Sequence, residues 1–363
     1  MNRSASSRLS LSIETKSWPL DVPFAITGYT FHSFDAVIVT LTDEHGHRGI
    51  GEGLGVYYLG DVPPAMIEQI ERVRERIEAG ISREELLDVL PRGGARNAVD
   101  CALWDLEAKR AGKPVWALID GQDKPRALTT TFTLSAGEPA TMAEVARRFV
   151  SAEAPSAAAR AAAKSHADLI HGARALKLKL TDDAHNAERM RAVRAAAPEA
   201  RIIVDANQGF TVESFRALLP TFQETGVELV EQPFPKDRDE WLVGLDSPIP
   251  LAADESVQDR HDLAKLVGLV QVVNIKLDKC GGLTEALAIV ERGRALGFDL
   301  MVGNMSGSSW SMAPAFIVGQ HCRVVDLDGP LYLGEDRDPA VRYADGMIDC
   351  ADEVWGSGRE TIR

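Results

Sequence analysis

Apolar residues follow two rhythms along the chain. Over residues 9–15 they alternate with polar ones, and over 36–41 they form a short apolar run; both predict β-strands. The stretch Asp43-Glu-His-Gly-His47 has turn composition and leads into a short run over 48–51, so a hairpin is expected there. The spacing then lengthens. Residues 64–79, 83–90 and 95–111 read as helices. In the last of these, Ala98, Cys101, Ala102, Leu103, Leu106 and Ala108 form the apolar set, and Gly112-Lys-Pro114 breaks the helix.

From about residue 128 the pattern changes to short apolar β runs alternating with helical stretches. The runs cover 129–134, 175–180, 201–206, 227–232, 251–255, 272–277, 299–305 and 324–328. Alternation of this kind predicts a parallel sheet, and eight units predict a closed ring of strands. The fold class expected is α/β, a modified TIM-like (β/α)8-type barrel over 124–330. An α+β capping domain over 1–123, completed by residues 331–363, accounts for the rest. A doubly wound open sheet is the alternative. Residues 141–174 are Ala-rich and longer than one crossover requires, and read as an extended helix or two helices.

Composition narrows the partners. The apolar and charged fractions, 45% and 26%, are those of an ordinary globular protein. The net charge of −14 disfavours nucleic acid and anionic lipid as partners. The four cysteines are far apart without a CxxC pair, as expected for reduced thiols. The first residues lack an apolar signal core, and no run approaches the roughly 20 apolar residues of a membrane helix. A cytoplasmic protein without a membrane partner is therefore expected.

The chemistry gathers where the β runs end, the end at which barrels of this type build their sites. Side chains alternate along a strand, so Lys177 and Lys179 in Ala175-Leu-Lys-Leu-Lys-Leu180 share one face. Two ammonium groups facing one interior repel each other, and partial burial adds to the effect. Both lower a lysine's pKa towards that of a usable base. Asp205 and Asn207 share a face in Val204-Asp-Ala-Asn-Gln208, and Val230-Glu-Gln-Pro233 places Glu231 similarly. Ala253-Asp-Glu-Ser256 places either Asp254 or Glu255. Three successive runs thus offer carboxylates at one rim, a donor set suited to Mg²⁺. In Val273-Asn-Ile-Lys-Leu-Asp-Lys279 an inward Lys276 is expected, with Lys279 in the following loop. Asp326 and Asp328 stand two apart and could clamp a cation.

Taken in order, Lys-x-Lys, Asp-x-Asn, Glu-Gln-Pro, Ala-Asp-Glu-Ser and Asn-Ile-Lys on consecutive strands resemble the enolase superfamily, muconate lactonizing enzyme subgroup. Gly51-Glu-Gly53 and Cys101-Ala-Leu-Trp-Asp-Leu106 extend the resemblance into the cap. The resemblance implies Asp205, Glu231 and Asp254 as Mg²⁺ ligands, choosing Asp254 over Glu255. It implies Lys179 and Lys276 as acid/base catalysts on opposite faces of a small-molecule substrate, with Lys177 holding the substrate carboxylate and depressing the pKa of Lys179. Asn207 joins the substrate-binding set. Asp-x-Asp at the last strand looks like the dipeptide epimerases, in which the pair binds the free α-ammonium group; here it is Asp326 and Asp328. The implied reaction is 1,1-proton transfer beside a carboxylate through an enediolate. A homo-oligomer is also implied.

Alternatives within the superfamily are an N-acylamino-acid racemase or a muconate cycloisomerase-like enzyme; a non-catalytic metal-binding barrel is more remote. One departure concerns the substrate. Some family members specific for alanyl-glutamate carry an arginine in the first cap loop, whereas Pro23-Phe-Ala-Ile-Thr-Gly-Tyr-Thr-Phe31 has none. Tyr29 from this loop and Tyr57 from the second cap loop, 54–61, with Tyr58 beside it, suit an apolar or aromatic side chain better.

Overall fold

The computed structural model describes residues 8–26, 29–156, 158, 163 and 166–359. The cap opens with an antiparallel sheet of β1 (Leu9–Ile26), β2 (Tyr29–Asp43) and β3 (Arg48–Leu54), in that order. The first two strands run well beyond the expected 9–15 and 36–41. Pro19 does not end β1, because β1 is an edge strand, where a missing N–H costs no ladder bond. The pairing shifts between Pro19 and Phe24 and then resumes to the tip of the hairpin, Ile26 opposite Tyr29. The expected turn after β2 is present, with Asp43 Oδ1 accepting from the N–H groups of His45 and His47 at 2.9 and 3.0 Å.

Helices α1 (Pro63–Arg72) and α2 (Arg74–Glu78) replace the single helix expected over 64–79, because Val73 leaves helical geometry (φ −116°, ψ 10°). Met66, Ile70 and Ile77 are all buried in the cap core. Helix α3 (Arg83–Val89) starts at a capping box of Ser82 and Glu85. Helix α4 (Gly94–Ala111) lies directly on β3. Glycines at alternate positions of β3 permit this. A Cβ on Gly49, Gly51 or Gly53 would fall within 2.2 Å of a backbone oxygen of α4.

Eight parallel strands follow: β5 (Thr131–Leu134), β6 (Ala175–Lys179), β7 (Arg201–Asp205), β8 (Val227–Glu231), β9 (Leu251–Ala253), β10 (Val272–Ile275), β11 (Asp299–Val302) and β12 (Val324–Val325). Each pairs with its neighbours in chain order, as the eight β runs predict. Thr130 and its neighbours bridge the seam between β12 and β5: Thr130 Oγ1 accepts from Leu327 N at 3.0 Å, and Thr133 N donates to Asp328 Oδ2 at 2.7 Å. The fold is therefore a (β/α)8-type barrel with an α+β cap. The expected run over 129–134 divides, since β4 (Leu128–Thr129) pairs with β14 (Met347–Asp349) in a small antiparallel sheet completed by β13 (Arg342–Ala344).

Leu333 pairs with Leu20 of β1, and Trp355 Nε1 donates to Ile50 O at 2.7 Å, so the C-terminal segment returns to the cap. In the Ala-rich region, α5 (Pro139–Val150) fills the first part, and a 3-10 turn occupies His166–Leu169. Residues 157, 159–162, 164 and 165 lie outside the described residues. Among the described residues no helix is long and apolar enough to cross a membrane.

Strand alternation builds the barrel in layers. Residues such as Leu176, Ile202, Val204 and Val230 face outward into the main core. The inward residues Ile203, Leu229, Ala252, Val272, Met301 and Val324 form a separate apolar plug. The next inward positions, two residues on, include Asp205, Glu231, Asp254, Asn274 and Asp326, all buried.

Candidate active site

The polar layer lies where the strands end, below a cavity of about 240 Å³ roofed by the cap. Its order around the ring follows the strand order. Lys177 and Lys179 come from β6, and Lys276 immediately follows β10. Four steps separate those strands in a ring of eight, so Lys179 and Lys276 face each other across the barrel. Asp205, Glu231 and Asp254 occupy the arc between them on β7, β8 and the end of β9. Asp326 and Asp328 occupy the other arc beside β5.

Lys177 Nζ lies 3.0 Å from Asp205 Oδ2, 2.7 Å from Glu231 Oε2 and 2.7 Å from Asp326 Oδ2. The Glu231 contact is an ion pair without hydrogen-bond geometry. Lys179 Nζ donates to Asp205 Oδ2 at 2.6 Å, and Lys276 Nζ donates to Asp254 Oδ2 at 2.7 Å. The repulsion expected to lower a lysine's pKa is reversed at two of these positions. Burial opposes charge on Lys177 and Lys276, but the surrounding carboxylates outweigh it, led by Asp205 at Lys177 and Asp254 at Lys276, so both are raised. Asp205 and Asp254 are held low by these lysines against burial. Glu231 is pushed up to about 8 by burial and by Asp205.

Of two supporting residues, one was placed wrongly in the sequence and the other went unread. Lys279 does not lie in a loop: after α6 (Asn186–Ala196), α7 (Val212–Glu224) and α8 (Leu263–Leu266), a helical turn, α9 (Leu277–Cys280), swings it beneath Asp254, where Nζ lies 2.5 Å from Oδ1. Asn274, two residues before Lys276 and on the same inward face, donates from Nδ2 to Glu231 Oε1 at 2.7 Å. Gly303, just past β11, gives both room. A Cβ there would lie 2.9 Å from the Asn274 amide and 3.0 Å from Lys276 Cε. Gln232 braces the strand ends by accepting from Asp254 N and Ser256 N at 2.9 and 3.1 Å.

The aspartates on the other arc are not equivalent. Asp326 is occupied on both oxygens, by Thr131 Oγ1 at 2.6 Å and Lys177 Nζ at 2.7 Å. Asp328 Oδ2 accepts from Thr133 N and Tyr332 Oη, and burial together with Asp326 raises its carboxyl to about 6. Asn207 lines the cavity; its N–H donates to Asp205 Oδ1 at 2.9 Å, and its Oδ1 has no partner among the described residues. Tyr57 lines the roof. Tyr29 does not; it is 47% exposed and packs its ring on Tyr57 at 4.5 Å.

Residues 156–358 match the family model described as enolase C-terminal domain-like. Residues 8–120 match the N-terminal domain model of mandelate racemase / muconate lactonizing enzyme. The chain belongs to the enolase superfamily. It is 38% identical over 333 residues to an L-Ala-D/L-Glu epimerase of Escherichia coli, covering 92% of this chain and 97% of that one. It is also 38% identical, over 280 residues, to an N-acetyl-D-glutamate racemase of a Pseudoalteromonas species, covering 77% and 81%. A solved enolase family member from Agrobacterium tumefaciens, described as homologous to dipeptide epimerases and bound to sodium and L-Ala-L-Glu, superposes with a TM-score of 0.85 at 38% identity, covering 96% and 100%. A dipeptide epimerase from Methylococcus capsulatus, complexed with Mg and L-Arg-D-Lys, superposes at 0.82 and 29% identity, covering 95% and 97%. This superfamily member is an enzyme, an isomerase like these epimerases and racemases.

As the side chains stand, no three acidic, histidine or cysteine groups among the described residues converge on one point. Lysines hold the carboxylates instead. The donor set nevertheless fits a divalent cation. Asp205, Glu231, Asp254, Glu255, Asp326 and Asp328 face Lys177, Lys179, Lys276 and Lys279, which leaves two formal negative charges uncompensated. The Glu231 and Glu255 carboxyls, raised to about 8 and 7, register that deficit on top of burial. Hard oxygen donors with spare negative charge suit Mg²⁺.

Proposed function

We propose that the chain is a Mg²⁺-dependent dipeptide epimerase that inverts the α-carbon beside the substrate carboxylate. The observation that carries this reading is the placement of Lys179 and Lys276 on opposite sides of one cavity, with three carboxylates on the arc between them. Inversion by proton transfer needs a base on one face of a carbon and an acid on the other. Asp205, Glu231 and Asp254 would hold Mg²⁺, whose charge, when bound, favours negative charge building on the substrate carboxylate. Lys179 or Lys276, whichever is neutral, takes the α-proton, and the other, as an ammonium, delivers one to the opposite face. Lys177 and Asn207 steady the carboxylate end. Asp326 and Asp328 meet the free ammonium of the N-terminal residue; Asp328 has the smaller share of existing cationic partners, and Asp326 is already shared with Lys177.

The relatives carry this reading further than the site alone, since epimerases of dipeptides recur among them. The N-acetyl-D-glutamate racemase favours a second reading, an N-acylamino-acid racemase. The aspartate pair argues against it, because an N-acyl group brings no positive charge to two buried carboxylates. Proton NMR in D₂O separates the two. Loss of α-proton signal with inversion in L,L-dipeptides, abolished by EDTA and restored by Mg²⁺, is the expected result. Exchange confined to N-acetylamino acids would replace this reading with the second.

A further inference from the structure

The wall of the cavity opposite the lysines differs in kind from its floor. Phe31 and Phe34 of β2, Leu54 at the end of β3, Tyr57 and Tyr58 of the loop after it, and Met305 line the cap side. The rings support one another: Phe31 stands 5.1 Å from both Phe34 and Tyr57, and Tyr57 lies 5.2 Å from Tyr58. Among the described residues lining the cavity, every basic one is a floor lysine: Lys177, Lys179 or Lys276. The ionisable groups nearer the cap wall are acidic, namely Asp35, Asp61 and Glu255. Glu255 is buried, and its Oε2 has no hydrogen-bond partner among the described residues.

The substrate's orientation follows from the floor. With the reacting carbon between Lys179 and Lys276, its carboxylate on the arc of Asp205, Glu231 and Asp254, and its ammonium towards Asp328, the remaining substituent is the side chain of the epimerised residue. The open direction left to it is upward, into the aromatic wall. On the epimerase reading, we infer that this enzyme acts on dipeptides whose epimerised residue carries an uncharged apolar or aromatic side chain, not the glutamate that appears in the descriptions of the three 38%-identical proteins. A second substrate carboxylate would be desolvated among rings and beside Glu255; among the described residues lining the cavity no cation stands on the cap side, and Lys236, 5.5 Å from the Tyr58 ring, does not line the cavity. An unpaired buried charge is strongly disfavoured. An aromatic or branched side chain would instead gain the contacts the rings offer.

Initial rates on L-Ala-L-Phe, L-Ala-L-Leu, L-Ala-L-Met, L-Ala-L-Gln and L-Ala-L-Glu test this with the unmodified enzyme. Met, Gln and Glu have similar length, so polarity and charge are compared at nearly constant size. The expected order of kcat/KM places Phe, Leu and Met first, Gln below them, and Glu at least about 100-fold below Met. Turnover of L-Ala-L-Glu equal to or faster than L-Ala-L-Met would overturn the inference while leaving the epimerase reading intact. If no dipeptide in the panel is turned over and N-acetylamino acids are, the epimerase reading itself fails and this inference falls with it.

Discussion

The floor and the cap-side wall of the cavity enclose the same substrate but are placed by different means. The floor residues are fixed by the sheet. Strand alternation points them inward, and each of Lys177, Lys179, Lys276 and Lys279 lies within 2.5–3.0 Å of a carboxylate. The wall rings come from β2 and the loop after β3, and they are held by ring contacts of 4.5–5.2 Å. A buried ion network tolerates little change, because removing one partner strands the other. A ring cluster tolerates exchange of one apolar shape for another at modest cost. The reaction should therefore reside in the floor and the choice of substrate in the wall, and substitutions in the two regions should differ in which kinetic constant moves.

The largest effect is expected at Lys276. Lys276→Ala should lower the rate of inversion by about 10⁴-fold, with far-UV circular dichroism unchanged because Lys279 still pairs with Asp254. Gly303→Ala comes next. It adds one methyl against the Asn274 amide and Lys276 Cε without touching substrate, and a displaced lysine should reduce kcat by about 10²-fold with KM little altered. In the wall, Tyr57→Ala should raise KM for apolar dipeptides by about tenfold while kcat stays within a small factor. A fall in kcat with unchanged KM at Tyr57 would break the division between floor and wall.

The smallest effect concerns the joint between the two regions. Asp278 of α9 accepts from Leu54 N at 2.8 Å and Asn97 Nδ2 at 2.7 Å, tying the cap to the turn that carries Lys279. Burial pushes its carboxyl up to about 7, with Glu52 and Asp61 adding to the rise. An unfolded aspartate titrates near about 4. The protonated buried form thus contributes stability that is complete below that pH and is lost as pH rises through about 7. Asp278→Asn stays neutral throughout. Its melting temperature should exceed that of the unaltered protein by roughly 2 °C at pH 8.5 and show a smaller difference at pH 5.5.

Most of the floor was legible because alternation along a strand is a strict rule. Asp205, Glu231, Lys177 and Lys179 all sit where a period of two puts them, and the eight β runs appear as eight strands in order. Lys279 escaped because the chain leaves the strand at Lys276 and makes one helical turn, which changes the period at the residue concerned. Gly281, at φ 84° after Cys280, was the available sign of a helix end there. Asn274 and Gly303 obeyed the alternation and were overlooked because neither carries a charge. The raised pKa of Lys177 was not legible, since three of the carboxylates around it come from strands up to 149 residues away. The aromatic composition of the wall could be read from the two cap segments, but not which rings reach the cavity: Tyr57 does, and Tyr29 only supports it.

The most direct test of opposed lysines is stereospecific exchange in the two single variants, Lys179→Ala and Lys276→Ala. Each is incubated with Mg²⁺ in D₂O and either epimer of a turned-over dipeptide, and the α-proton is followed by NMR. Two bases on opposite faces predict that each variant exchanges the α-proton of one epimer without inverting it, and that the two variants act on different epimers. Exchange of the same epimer by both variants, or inversion persisting in either, would contradict the account.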